Sequence, residues 1–248
     1  MTLLGQTRTS IQANHAFIAP DGHVTASLPG WDKTQGIILI SSQMRGLPRF
    51  TQYLALMESD AASAIPLKGV QRFVYVLEGT INAELANGTH MLKAGDFAYV
   101  PADSPHIFTS TGESQLLIFE KPYTAGLNAN LPSIHVGKAW AGDGDPFLGD
   151  EDARLRVLLP TEHAYDMAVN LFTFQPGAVL PFVETHIMEH GLYLLEGQGI
   201  YRLDNRYYPI QAGDVIWMGA YCPQWFCAFG KTQSTYIYYK DVNRDPLS

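Results

Sequence analysis

A carboxylate and two imidazoles fall close together in Glu184-Thr185-His186-Ile187-Met188-Glu189-His190, and Gln224 follows well downstream. In a strand, residues two apart project to the same face, so Glu184 and His186 share one. His190 comes after three more residues, enough for a short turn into the next strand. Gln224 lies beyond a further hairpin. One carboxylate, two neutral imidazoles and an amide oxygen on one inward face make a mixed nitrogen–oxygen donor set. Such a set suits Mn²⁺, Fe²⁺ or Zn²⁺ with a position left open, and the spacing alone does not choose among them. A cation held there can act as Lewis acid, template or water activator. Cys222 and Cys227 lie off the pattern, so thiolate ligation is no part of it.

A second group of residues sits downstream. Tyr236, Tyr238 and Lys240 alternate along one run and share a face. If that face is the interior, Lys240 is a cation beside the metal. A bare buried ammonium is costly, so an anionic ligand such as a substrate carboxylate gives it a partner. On spacing alone Lys240 divides evenly between pocket and surface, and Tyr236 is core packing. A lone strand histidine is more often structural than a ligand, but two with a glutamate at this spacing reverse that. Tyr201 is a further residue for the pocket wall. Glu189 precedes His190 and points away from it.

The elements that must hold these groups are short strands. Runs such as Gly36-Ile37-Ile38-Leu39-Ile40, Phe73-Val74-Tyr75-Val76-Leu77 and Tyr236-Ile237-Tyr238-Tyr239 are rich in β-branched and aromatic residues. Turn residues punctuate them at intervals of roughly 8–12 positions, the pattern of an all-β sandwich or barrel. Strands are predicted near His23–Leu28, Gly36–Ser42 and Gln52–Met57, and near Asn170–Phe174. With 248 residues and 46% hydrophobic content, the chain can bury one large core or two smaller ones.

The chain also repeats itself. Tyr75, Leu77, Glu78 and Gly79 recur as Tyr193, Leu195, Glu196 and Gly197, an offset of 118 residues. Ala94-Gly95-Asp96 recurs as Ala212-Gly213-Asp214, and Pro105 and Phe108 as Pro223 and Phe226. A period this long implies two copies of one domain rather than a solenoid. We expect a first domain over 1–125, a linker over 126–153 and a second domain over 154–248. At that offset Glu184, His186, His190 and Gln224 correspond to Pro66, Lys68, Arg72 and His106. The first copy keeps the scaffold with only one possible ligand, His106, so the chemistry is assigned to the second. Glu196 recurs as Glu78 and is read as scaffold. The acidic stretch Asp143–Asp152 does not place ligands at calcium-loop positions and reads as a solvated loop.

Other classes are excluded by composition. A formal net charge of −8 leaves no basic surplus for a phosphate backbone, so no nucleic-acid partner is expected. No run of about 18 apolar residues predicts a membrane span. Met1–Arg8 lacks the apolar run of a signal peptide. Two cysteines indicate no disulfide framework. The expectation is a cytoplasmic globular protein acting on a small molecule.

Gly177, Glu184-x-His186-x-x-x-His190, Gly197 and the stretch from Gly213 to Gln224 resemble the two motifs of the cupins, which are small jelly-roll β-barrels. The resemblance implies two tandem cupin domains, a bicupin. The common cupin order is His-x-His, then Glu, then His; here it is Glu, His, His, Gln. With that order, Glu189-His190-Gly191, Gly197-Gln198-Gly199-Ile200-Tyr201, Leu203-Asp204-Asn205, Met218-Gly219-Ala220-Tyr221, Tyr239-Lys240-Asp241 and Asn243-Arg244-Asp245 resemble the (S)-ureidoglycine aminohydrolase family. Ala19-Pro20-Asp21-Gly22 and Pro29-Gly30-Trp31 resemble that family's opening. The resemblance implies a Mn²⁺-dependent hydrolase of purine (allantoin) degradation that releases ammonia from (S)-ureidoglycine and leaves (S)-ureidoglycolate. It implies Glu184, His186, His190 and Gln224 as metal ligands. It implies Glu184, Gln224, Tyr236 and Lys240 as substrate contacts, with Glu184 and Lys240 catalytic. Two alternatives stay open: another metal-dependent cupin enzyme, a dioxygenase or isomerase acting on a small acid, or a non-enzymatic cupin binding protein. Bicupins often associate, so a homo-oligomer is admitted rather than required.

Overall fold

Strands of alternating or wholly apolar character must bury at least one face, and among the described residues they do so in three sheets, all of whose pairings are antiparallel. The computed structural model describes residues 6–126 and 130–245. Residues 1–5, part of the stretch read above for a leader, and residues 127–129 of the expected linker lie outside the described residues. The only helical element among the described residues is a 3₁₀ turn at Pro20–Gly22, and no helix there is long and apolar enough to cross a membrane.

A ten-stranded sheet carries the first half, centred on Val70–Glu78, Ser114–Pro122 and Thr51–Ala62. In the second half an eight-stranded sheet, centred on His190–Glu196, Ser234–Asp241 and Met167–Phe174, accompanies a three-stranded sheet of Arg206–Gln211, Gln198–Leu203 and Gln224–Ala228. Three apolar cores result. One fills the first half around Val74, Phe108 and Ile118; another fills the second around Phe174, Leu203 and Phe226. The third lies between them and joins Phe50, Phe73 and Phe119 to Leu171, Trp217 and Tyr239.

The two halves repeat at the level of register. Phe73 pairs with Tyr99 as Gly191 pairs with Trp217, an offset of 118 residues on both strands. In the final strand the offset changes. Glu120 faces Arg72, whereas Lys240 faces His190. The connection from Gln224–Ala228 to Ser234 is two residues longer than the one from His106–Ser110 to Ser114. The structural counterpart of Lys240 is therefore Glu120.

The strands also cross the expected domain limits. Asp96–Val100 and Val215–Met218 are equivalent strands whose unpaired backbone N–H and C=O groups need a partner on one side. His135–Lys138, inside the expected linker, pairs with the former, and His15–Ile18, at the other end of the chain, pairs with the latter. Asp145–Phe147 and Asp150–Val157, which also begin inside the expected linker, extend the second-half sheet. The stretch expected as loop thus supplies strands to both halves.

Candidate metal centre

Glu184 and Gln224 are backbone partners. The Glu184 N–H donates to the Gln224 carbonyl at 2.8 Å, and the Gln224 N–H donates back at 2.9 Å. That single bridge is the only strand-like pairing between Pro181 and Glu189. The continuous strand predicted through Glu184 and His186 is replaced by irregular chain. His186 is instead fixed by its own carbonyl, which accepts the Tyr221 N–H at 2.7 Å. His190 opens the strand His190–Glu196 and lies between Met218 and Lys240 in the ladder.

The imidazole chemistry follows from these anchors. Nδ1 of His186 lies 3.1 Å from the Met188 carbonyl. A carbonyl only accepts, so Nδ1 carries the proton and the neutral ring presents its lone pair at Nε2. Metal-binding histidines are commonly oriented in this way. The His186 and His190 rings lie 4.7 Å apart. Nε2 of His190 is buried and has no hydrogen-bond partner among the described residues. Burial lowers the basicity of His186, and Lys240 adds to the effect. His190 is driven well below the ordinary histidine range by burial, then by His186 and Lys240. Both rings are thus neutral at pH 7, with lone pairs available to a cation.

Glu184 and Lys240 respond to the same desolvation. Burial raises the Glu184 carboxyl, partly countered by Lys240, and lowers the Lys240 ammonium, partly countered by Glu184. Glu184, His186, His190, Gln224, Tyr236 and Lys240 line one cavity of about 150 Å³. Phe172, Leu180, Leu192 and Met218 supply apolar wall. The Tyr201 hydroxyl donates to Gln224 Oε1 at 3.2 Å, and Gln224 Nε2 lies 2.7 Å from His186 Nε2.

Among the described residues, no three His, Cys, Asp or Glu side chains close into a coordination group. The fourth donor here is an amide, and its nitrogen faces His186. A half-turn of that amide exchanges its two polar atoms in the same volume. The unpartnered His190 Nε2, the lone pair of His186 and the adjacent carboxylate then fit a divalent cation of intermediate hardness.

The structure brings the six residues expected as ligands, substrate contacts or catalytic groups to this one cavity, together with Tyr201. It adds Tyr238, whose ring lies 5.3 Å from that of His190. The alternation Tyr236, Tyr238, Lys240 carries that signal. It also adds Phe147, from the segment expected as linker, and Leu155, just past its expected end, where no periodicity marks them. Glu189 points the other way, onto Arg49 and Trp217.

Comparison with known proteins follows the same lines. A family model for the cupin domain matches residues 67–120, in the half without the donor set. A protein of Oryza sativa subsp. japonica named "Probable (S)-ureidoglycine aminohydrolase" is 45% identical over 99% of this chain and 78% of its own. An Arabidopsis thaliana protein named (S)-ureidoglycine aminohydrolase is 40% identical over 99% of this chain and 81% of its own. The crystal structure of protein Ylba from E. coli shares 32% identity and a TM-score of 0.83, covering 96% of each chain.

Proposed function

This chain belongs to the (S)-ureidoglycine aminohydrolase family of cupin proteins, and from that premise we propose that it hydrolyses (S)-ureidoglycine in purine degradation, giving (S)-ureidoglycolate and ammonia. We place the reaction in the second half, with Glu184, His186, His190 and Gln224 holding Mn²⁺. The observation that carries this reading is the meeting of those donors with Lys240 in one small cavity.

The substrate carries an amine, a ureido group and a carboxylate on one carbon. Lys240 takes the carboxylate, which gives its half-buried ammonium an opposite charge. Tyr236, on the same strand face, and Gln224 contact the remaining polar groups. A bound divalent cation supplies positive charge that fixes the substrate in one orientation and polarises it. The carbon–amine bond breaks and a bond to water oxygen forms at the same carbon. Glu184, a carboxylate lining the same cavity, takes a proton from that water and returns it to the departing amine. The carboxylate ends unchanged, and water and ureidoglycine are converted to ureidoglycolate and ammonia.

The test is ammonia release from freshly generated ureidoglycine by metal-stripped protein, with and without added Mn²⁺. Acceleration by Mn²⁺ and a single enantiomer of ureidoglycolate are expected. Release at the spontaneous rate, with racemic product, would sink the proposal.

A further inference from the structure

The first half reaches the second through Arg49, in the segment between Asp32–Ile40 and Thr51–Ala62. Its backbone N–H and its Nε both donate to Glu189 Oε1, at 2.9 and 3.2 Å, and its Nη2 donates to Asp241 Oδ2 at 2.5 Å. The other carboxylate oxygens are occupied as well. Trp217 Nε1 donates to Glu189 Oε2 at 3.2 Å, and the Glu189 N–H donates to Asp241 Oδ1 at 2.6 Å. Glu189 immediately precedes His190, and Asp241 immediately follows Lys240. His190 and Lys240 face each other across the ladder. One guanidinium therefore spans the two strands that carry a proposed metal ligand and the proposed substrate cation.

The residues beside Arg49 reinforce the same grip. Phe50 packs on Tyr239 with ring centroids 4.1 Å apart, and Gln52 Nε2 donates to the Leu192 carbonyl at 3.4 Å. Gly191, directly after His190, lies so close under Phe50 and Gln52 that no Cβ fits. His190 and Lys240 line the cavity, and the backs of their strands are gripped by the other half.

We infer that Arg49 is a positioning residue of the metal centre, through which the first half sets the separation and orientation of His190 and Lys240. The inference rests on the metal reading above. Arg49 does not line the cavity that holds the donors, and its side chain is 52% exposed, so its removal leaves the cores intact. Groups that orient metal ligands typically govern affinity or activity by about 10- to 100-fold.

The experiment compares Arg49→Ala with Arg8→Ala. Arg8 joins the N-terminal segment to Asp214 through bonds of 2.7 and 2.9 Å, away from the donors, and so controls for the loss of any ion pair of this kind. Mn²⁺ affinity and the electron paramagnetic resonance spectrum of bound Mn²⁺ are read on the full chain. Hydrogen exchange across 187–192 and 238–242 is read on the metal-stripped protein. Arg49→Ala is expected to weaken Mn²⁺ binding about tenfold or more, change the spectrum and accelerate exchange in both segments. Arg8→Ala should stay within about twofold on all three. If Arg49→Ala binds Mn²⁺ within about twofold of the parent, the inference is overturned. If the parent protein takes up no Mn²⁺, the metal reading fails separately, and exchange decides: faster exchange confined to Arg49→Ala supports the clamp, and unchanged exchange overturns it.

Discussion

At the inner end of Val70–Glu78, Arg72 faces Glu120 across the ladder, while at the same register in the second half His190 faces Lys240. Arg72 is 2% exposed. Its Nε donates to Glu120 Oε1 at 2.6 Å and its Nη1 to the Ala64 carbonyl at 2.8 Å. The same Nη1 lies 3.2 Å from Nε2 of His106, the counterpart of Gln224. Nδ1 of His106 donates to the Ser104 carbonyl at 2.8 Å, so its Nε2 lone pair receives the guanidinium proton. The first pocket thus carries its own cation, already neutralised by a carboxylate and already facing an imidazole lone pair. In the second pocket that cation is absent from the His190 position. The first half pairs Arg72 with Glu120 and His106, whereas the second leaves Nε2 of His190 without a partner among the described residues.

The largest test of this contrast removes one imidazole from each pocket. His190→Ala should abolish stoichiometric Mn²⁺ uptake, because it deletes a buried donor aimed into the cavity. His106→Ala deletes only an acceptor of Arg72. It should leave metal content and turnover unchanged and reduce stability by about 1–3 kcal/mol, the usual penalty for a buried donor left unpaired. Metal analysis of both purified variants decides. Metal lost from His106→Ala would reverse the division between the halves.

Next comes the charge that differs at the last strand. Lys240→Met keeps the length and apolar stem of the side chain but removes the ammonium. The variant should fold, hold Mn²⁺ and lose about 2–4 kcal/mol of transition-state stabilisation, or about 30- to 1,000-fold in kcat/KM. Steady-state kinetics with ureidoglycine read this directly. Unchanged kinetics would place Lys240 outside the substrate's reach and break the contrast with Glu120.

Much of this contrast was legible in the sequence, for identifiable reasons. Gly79 and Gly197 adopt φ of 82° and 79°, and Gly95 and Gly213 adopt 89° and 90°. These turns require a residue free to enter the left-handed region, so the repeat shows plainly at those positions. The donor types of the second pocket also stand out, because polar groups on an apolar strand face need a reason. The pairing of Lys240 with Glu120 was not legible. Subtracting a constant 118 leads from Lys240 to Pro122, and only the ladder shows the two-residue lengthening before Ser234. The cover of Val215–Met218 by His15–Ile18 was equally hidden, since contacts so distant in sequence leave no local period. Arg49 looks like any loop arginine until the fold brings Glu189 and Asp241 to it.

The smallest expected effect separates the pockets by proton uptake. Both His106 and His190 are lowered below the ordinary value of 6.5, and in both burial is the main cause. A histidine lowered on folding binds more protons in the unfolded state, so its neutral form contributes stability that is lost as pH falls below about 6.5. The loss continues until the folded-state value is reached. By pH 5 it amounts to at most about 2 kcal/mol per histidine, or a Tm change of about 4–8 °C for a chain of this size. The two rings should not contribute equally. The Ser104 carbonyl and Glu120 both favour the charged form of His106, against burial and Arg72. His190 has no such opposition: burial, His186 and Lys240 all favour its neutral form. In metal-stripped protein, His190→Gln should therefore flatten the fall in Tm between pH 7 and pH 5 more than His106→Gln does. Saturating Mn²⁺ should widen the gap, because a cation on the ring nitrogens must be displaced before they take up protons. The slope belonging to His106 should not respond to the metal. Equal flattening by the two substitutions, or a metal response at His106, would mean that the pockets share one electrostatic environment despite the Arg72–Glu120 pair that fills only the first.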